Sequence, residues 1–175
     1  MQMNAPVVGA TAHVALATEP DLFKTVSSHW PSGVAVITTI AEDGSLHGLT
    51  MNAVIALSLD PMQFLISVDR KSNTLPVLKA TRRFCINFLS SGQRDICMMF
   101  ASKAADKFAT VEHRLSRMGL PIIDGSVSCI NCDVNTIIPS GDHEILIGDV
   151  RDIEHFGGEP LIHFKRTFHT TIAST

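Results

Sequence analysis

The sequence contains no tyrosine and one tryptophan in 175 residues. It therefore offers few aromatic platforms on which single-stranded nucleic acid could stack. Positive charge is scarce as well, with 14 Lys and Arg against 17 Asp and Glu and a formal net charge of −3. No basic field gathers a phosphate backbone, so nucleic acid is excluded as an expected partner. Every apolar run is broken well short of the ~20 residues that span a bilayer, and no membrane association is expected. From Met1 to Pro20 there is neither Lys nor Arg, whereas a secretory signal starts basic and a transit peptide is rich in Arg. Residues 1–20 read as an N-terminal tail or an arm packed on a partner subunit, ahead of one domain over 21–175. A cytoplasmic location is expected from the same absence of an export signal, with the four cysteines as reduced thiols.

Several signatures are also missing. Neither G-x-G-x-x-G nor G-x-x-x-x-G-K-[ST] occurs, which speaks against a doubly wound dinucleotide fold and a phosphate loop. Without G-x-S-x-G, serine hydrolysis has no support. The eight histidines show no H-x-x-x-H or H-E-x-x-H spacing, so no metal site is expected from them. Cys129 and Cys132 do form a C-x-x-C. Val127 to Ile138 alternates like a strand, however, and residues three apart on a strand face opposite sides. The two sulfurs should diverge, Cys85 and Cys97 supply no second close pair, and the cysteines read as structural.

Regular patterning fills most of the chain. Glu19 to Trp30 predicts a short helix, with Pro20 early, Asp21 near the start and Leu22, Phe23, Val26 and Trp30 along one stripe. Val34 to Ile40 is a strand, and Glu42-Asp43-Gly44 marks a hairpin turn. Leu46 to Leu59 reads as one long strand or a broken pair stopped by Asp60-Pro61, and Phe64 to Val68 as another. Leu75 to Lys79 predicts a helix and Phe84 to Leu89 a strand. Gln93 to Phe108 is helical in pattern, with Ile96, Met99, Phe100 and Lys103 on one face. Val127 to Ile138 and Glu144 to Ile153 form a hairpin, and Leu161 to Thr171 a last strand. Tight turns join most of these strands. The prediction is a mainly β fold: an antiparallel barrel with a few helices packed outside.

Three places could carry chemistry. Ser72-Asn73-Thr74, with Arg70 and Lys71 beside them, reads either as an anion site at a helix start or as plain helix capping. Thr50 and Asn52 interrupt an apolar strand on one face. They bind backbone or a ligand edge if buried, and form a polar surface stripe if not. His143, at the turn Ser140-Gly141-Asp142, is either a residue reaching into a site or an ordinary surface histidine.

The runs Trp30-Pro31-Ser32-Gly33-Val34-Ala35-Val36-Ile37-Thr38-Thr39, His47-Gly48-Leu49-Thr50-Met51-Asn52-Ala53 and Ser72-Asn73-Thr74-Leu75-Pro76 occur in that order. Arg83-Phe84-Cys85-Ile86-Asn87-Phe88-Leu89, Gly119-Leu120-Pro121, Gly141-Asp142-His143 and Ile147-Gly148-Asp149-Val150 follow. Together they resemble the short-chain flavin reductases, which are FMN-binding split-barrel enzymes and reductase components of two-component flavin-dependent monooxygenases. The resemblance implies a homodimeric antiparallel split β-barrel that binds FMN or FAD and takes hydride from NADH or NADPH. It further implies a monooxygenase partner that receives reduced flavin. On this likeness Pro31, Ser32, Gly33 and Val34, with Thr50, Met51, Asn52 and Ala53, line the isoalloxazine. Ser72, Asn73 and Thr74 hold the phosphate, Phe100, Ala101 and Lys107 close over the flavin, and His143 faces the nicotinamide. Arg166-Thr167-Phe168 stands where relatives carry Gly-Tyr or a similar aromatic. A non-enzymatic FMN-binding electron carrier on the same barrel is the alternative.

Overall fold

The computed structural model describes residues 18–170, so the reading of residues 1–20 as a tail or arm lies almost wholly outside it. Helix α1 (Pro20–Ser27) leads through strand β1 (Ser32–Gly33) to β2 (Ala35–Ile40). The turn at Asp43 and Gly44 returns the chain as β3 (Leu46–Met51), with Ser45 N donating to Asp43 Oδ1 at 2.9 Å. Then come β4 (Val54–Leu59), β5 (Met62–Asp69), α2 (Leu75–Thr81), β6 (Arg83–Phe88) and α3 (Arg94–Ala101). Two hairpins follow: the short β7 (His113–Leu115) with β8 (Pro121–Ile123), and the long β9 (Ser128–Ser140) with β10 (His143–His155). The last described strands are β11 (Ile162–Phe164) and β12 (Thr167–His169).

Seven strands form one antiparallel sheet in the order β3-β2-β6-β9-β10-β5-β4. The two edge strands, β3 and β4, are consecutive in the chain and joined only by Asn52 and Ala53. The sheet must therefore curl until its edges meet at that link; Ser67 N, donating to Ala53 O at 3.1 Å, carries the β4–β5 ladder up to it. The result is the expected split barrel, and the split is this seam. It also resolves Leu46 to Leu59: the segment is a broken pair whose halves lie at opposite edges of one sheet.

Alternation then sorts the side chains. Ala35 and Ile37 of β2, Phe84 and Ile86 of β6, and Ile130, Cys132 and Val134 of β9 share the barrel core with Leu146 of β10. Leu75 and Leu78 of α2 join the same core. The other face of β2 is covered as well: Val34 and Val36 pack with Cys97 and Phe100 of α3, Phe108 and Ile123. A strand buried on both faces reads as an unbroken apolar run, which is how Val34 to Ile37 reads; the buried Thr38 and Thr39 that follow donate their hydroxyls to Pro121 O and Arg83 O. Asn87, fully buried on β6, donates to Val36 O at 3.2 Å and Thr38 Oγ1 at 3.1 Å and accepts from Ile123 N at 2.9 Å. It pins β8 to the barrel.

Several expectations need correction. The helix expected over 93–108 stops at Ala101. Ser102 to Asp106 has no large apolar side chain to hold a further turn against the barrel. Instead Ser102 Oγ accepts from Ala104 N at 3.2 Å and Asp106 Oδ1 from Phe108 N at 3.0 Å, both turn-forming bonds. The strand expected over 161–171 is broken by Lys165 and Arg166, at φ 49° and 62°, into β11 and β12. Helix α1 forms, but its apolar stripe is not buried among the described residues: Phe23 and Trp30 are 72% and 79% exposed. Cys129 and Cys132 do face opposite sides, in different cores. Cys85, however, is not isolated. It packs with Cys129 on the outer face, and the neighbouring Cys129 thiol, with burial, pushes Cys85 well up.

Candidate active site

The seam opens into a cleft of about 750 Å³. Six residues singled out from the sequence line it: Pro31, Ser32, Gly33 and Val34 on one wall, Asn52 and Ala53 on the other. The first wall is built by the end of α1 running into β1, and β1 is held by pairing with β11. Phe64 and Phe88, with ring centroids 6.1 Å apart, belong to the lining too. Ser32 Oγ is buried and has no hydrogen-bond partner among the described residues, which suits a polar atom awaiting a ligand. Among the described residues, the walls contain no Asp, Glu, Lys or Arg. Sequence reasoning missed Trp30 as a wall residue, because its place on the α1 stripe suggested burial.

A second group of the singled-out residues meets around β3. Thr50 Oγ1 donates to Cys97 O of α3 at 2.6 Å, so of the Thr50/Asn52 pair the first binds backbone and only the exposed Asn52 lines the cleft. Thr74 Oγ1 donates to Gly48 O at 3.4 Å, and Lys107 Nζ donates to Gly48 O at 3.2 Å and Phe100 O at 2.9 Å. Burial pulls the Lys107 ammonium below the usual lysine range. Met51 and Phe100 point into the two cores, while Ala101 is exposed at the end of α3.

Ser72, Asn73 and Thr74 form the loop before α2. The helix N-cap is Thr74, but no side chain caps it. Thr74 turns its hydroxyl to Gly48 instead, while its amide donates to Ser72 Oγ at 3.3 Å. His143 opens β10 directly opposite Asp69 of β5, and Arg70 N donates to Asp142 O at 3.0 Å. His143 therefore stands beside this loop, on the opposite side of β5 from Ala53 and two register positions further along. Its Nδ1 lies 2.7 Å from Asp142 Oδ1, a bond that holds the Asp142 carboxyl below the usual range. No helix of the described residues is long and apolar enough to cross a membrane.

The comparisons with known proteins agree with this geometry. Residues 27–171 match the family model described as flavin reductase like domain. A flavin reductase of Pseudomonas putida is 38% identical over 150 residues, covering 86% of this chain and 88% of its own. The reductase subunit HsaB of a flavin-dependent monooxygenase from Mycobacterium tuberculosis is 36% identical over 84% of this chain and 80% of its own. The structure of the Streptomyces globisporus NADH:FAD oxidoreductase SgcE6 in complex with NAD and FAD fragments matches with a TM-score of 0.84 at 27% identity. It covers 90% of this chain and 98% of that one. With most of its length matched, this chain belongs to the flavin reductase like domain family.

Proposed function

We propose that this protein is an NAD(P)H:flavin oxidoreductase that reduces FMN or FAD and passes the reduced flavin to a partner monooxygenase. The uncharged cleft at the barrel seam carries the reading. Its volume of about 750 Å³ falls within the roughly 300–1,000 Å³ of small-molecule and cofactor sites. Apolar walls suit a tricyclic ring, and the unpartnered Ser32 Oγ suits one of its heteroatoms. The residues present fit a flavin.

Bound flavin and nicotinamide supply the hydride chemistry between themselves, so the protein needs neither nucleophile nor strong acid. Its work would be to hold the two rings between its walls with their reacting atoms in reach of each other. Pro31 to Val34 and Asn52 to Ala53 provide the walls. Thr50 and Lys107 act through backbone, tying α3 and the loop after it to β3 so that the wall does not shift. Ser72, Asn73 and Thr74, with Arg70 and Lys71, hold the flavin phosphate, and His143 faces the nicotinamide. A second copy of the chain completes the assembly. The support is apolar exposure on the edge strand β4 and beside it, with Ile55 at 55% and Leu59 at 84%. Four free thiols accord with a cytoplasmic setting.

The test is to mix purified protein with FMN or FAD and NADH or NADPH in air and follow the nicotinamide absorbance. Catalytic loss of absorbance with turnover of added flavin is expected. A protein that stays yellow through dialysis yet oxidises neither nucleotide would be an electron carrier instead.

A further inference from the structure

Among the described residues the cleft walls lack charged side chains, yet the proposed reaction brings two phosphorylated ligands to them. Their phosphates must find cations beyond the rim. Arg70 and Lys71 are assigned above to the flavin phosphate. A second cationic group, in the turn between β11 and β12, has no role so far.

Strand β1, whose Ser32 and Gly33 line the cleft, pairs with β11 in the register Ser32↔His163 and Gly33↔Ile162. Strand β11 runs into Lys165 and Arg166, which turn the chain into β12. Lys165 N donates to Ser28 O at 2.8 Å, pinning the turn to the end of α1 between the cleft residues Ser27 and Trp30. Neither cation has a carboxylate within ion-pair distance among the described residues. Both sit at positive φ, 49° and 62°, where Gly or Asn is the favoured occupant of a hairpin turn. On the same wall Trp30 is 79% exposed, two residues beyond the Ser28 whose carbonyl Lys165 N binds.

Resting on the reductase reading, we infer that Trp30 and the Lys165-Arg166 turn form the subsite for the adenosine half of the pyridine dinucleotide. The indole offers a face to the purine. Arg166, a planar fork of donors, and Lys165 pair with its phosphate. The nicotinamide end is thereby directed along the β1 wall toward the flavin ring.

Trp30 is the single tryptophan of a chain without tyrosine, so its emission reports this subsite alone. The probes are ADP and 2′,5′-ADP, which contain neither flavin nor nicotinamide, titrated into the full-length protein. Saturable change of Trp30 emission is expected. Its apparent Kd should rise about tenfold or more in Arg166→Gly, the loss of one charge-assisted bond. Glycine suits the φ of 62° at that position and spares the turn. Arg117→Ala, which removes an exposed cation between β7 and β8, should leave the Kd unchanged. Steady-state kinetics then sorts the phosphate. A KM raised for NADPH alone assigns the turn to the 2′-phosphate, and a KM raised for both nucleotides assigns it to the pyrophosphate. No saturable emission change, an unaltered Kd in Arg166→Gly, or a KM raised for neither nucleotide overturns the proposal. Saturable ADP binding in a protein that oxidises no nucleotide with flavin present would sink the reductase reading and leave the subsite standing.

Discussion

A methyl group at Gly48 tests how tightly α3 is seated on the seam. A Cβ there would lie 2.6 Å and 2.8 Å from two carbons of the Phe100 ring and 3.3 Å from Ile37 O. The ring has little room to retreat: it is 1% exposed and packs edge-on against Phe108 at 5.0 Å between centroids. Gly48→Ala therefore pushes α3 off the barrel, and the strain reaches Thr74 and Lys107, which both donate to Gly48 O. Overpacking of this kind costs about 1–3 kcal/mol. For a domain of this size that lowers Tm by about 2–12 °C. Phe100→Leu alone leaves a cavity, but in the Gly48→Ala background it makes room for the new methyl. The double variant should be more stable than the sum of the single losses by about 0.5–3 kcal/mol. Urea denaturation of the four proteins measures this cycle directly. The reasoning is refuted if Gly48→Ala lies within about 0.5 kcal/mol of the parent, or if the two changes simply add.

Gly148→Ala should cost more than Gly48→Ala, about 3 kcal/mol. Its Cβ would meet Phe84 at 2.6 Å and the Cys132 Cβ at 2.8 Å, and the latter cannot swing away; a smaller loss in urea would contradict this. Asn87→Leu leaves the buried Ile123 N without its partner and should destabilise by about 1–3 kcal/mol, checked by the same denaturation series. Bonds from Gln63 (2.9 Å) and Asn135 hold the Asp149 carboxyl below its usual 3.8. The unfolded chain takes up that proton first, so the contribution is present above pH 3.8 and lost as pH falls through the lowered value. The Tm penalty of Gln63→Leu should accordingly be larger at neutral pH than in strong acid, and a pH-independent penalty would count against it. His143→Ala should raise the KM for the nicotinamide nucleotide; unchanged KM and kcat would remove His143 from the site.

Much of the framework was legible because its causes are local. Alternation over 127–138 and 144–153, with Gly141 at φ 56° between them, specifies the β9–β10 hairpin. The same period places Cys132 in the barrel core and Cys129 outside it. Motif order pointed to the family. Periodicity failed where a helical pattern had no wall to press against, as after Ala101, and where Lys165 and Arg166 took up a left-handed turn that composition does not announce. Tertiary structure alone decided which residues share a space. It put β3 and β4, neighbours in sequence, at opposite edges of the sheet, and made Asn52 and Ala53 the link across the seam. It joined Thr50 to Cys97, Cys85 to Cys129, and left Trp30 exposed at the cleft. Hydrophobic period and turn chemistry act over a few residues. The site depends on closure of a seven-stranded sheet, a condition that all its strands satisfy together and no single segment encodes.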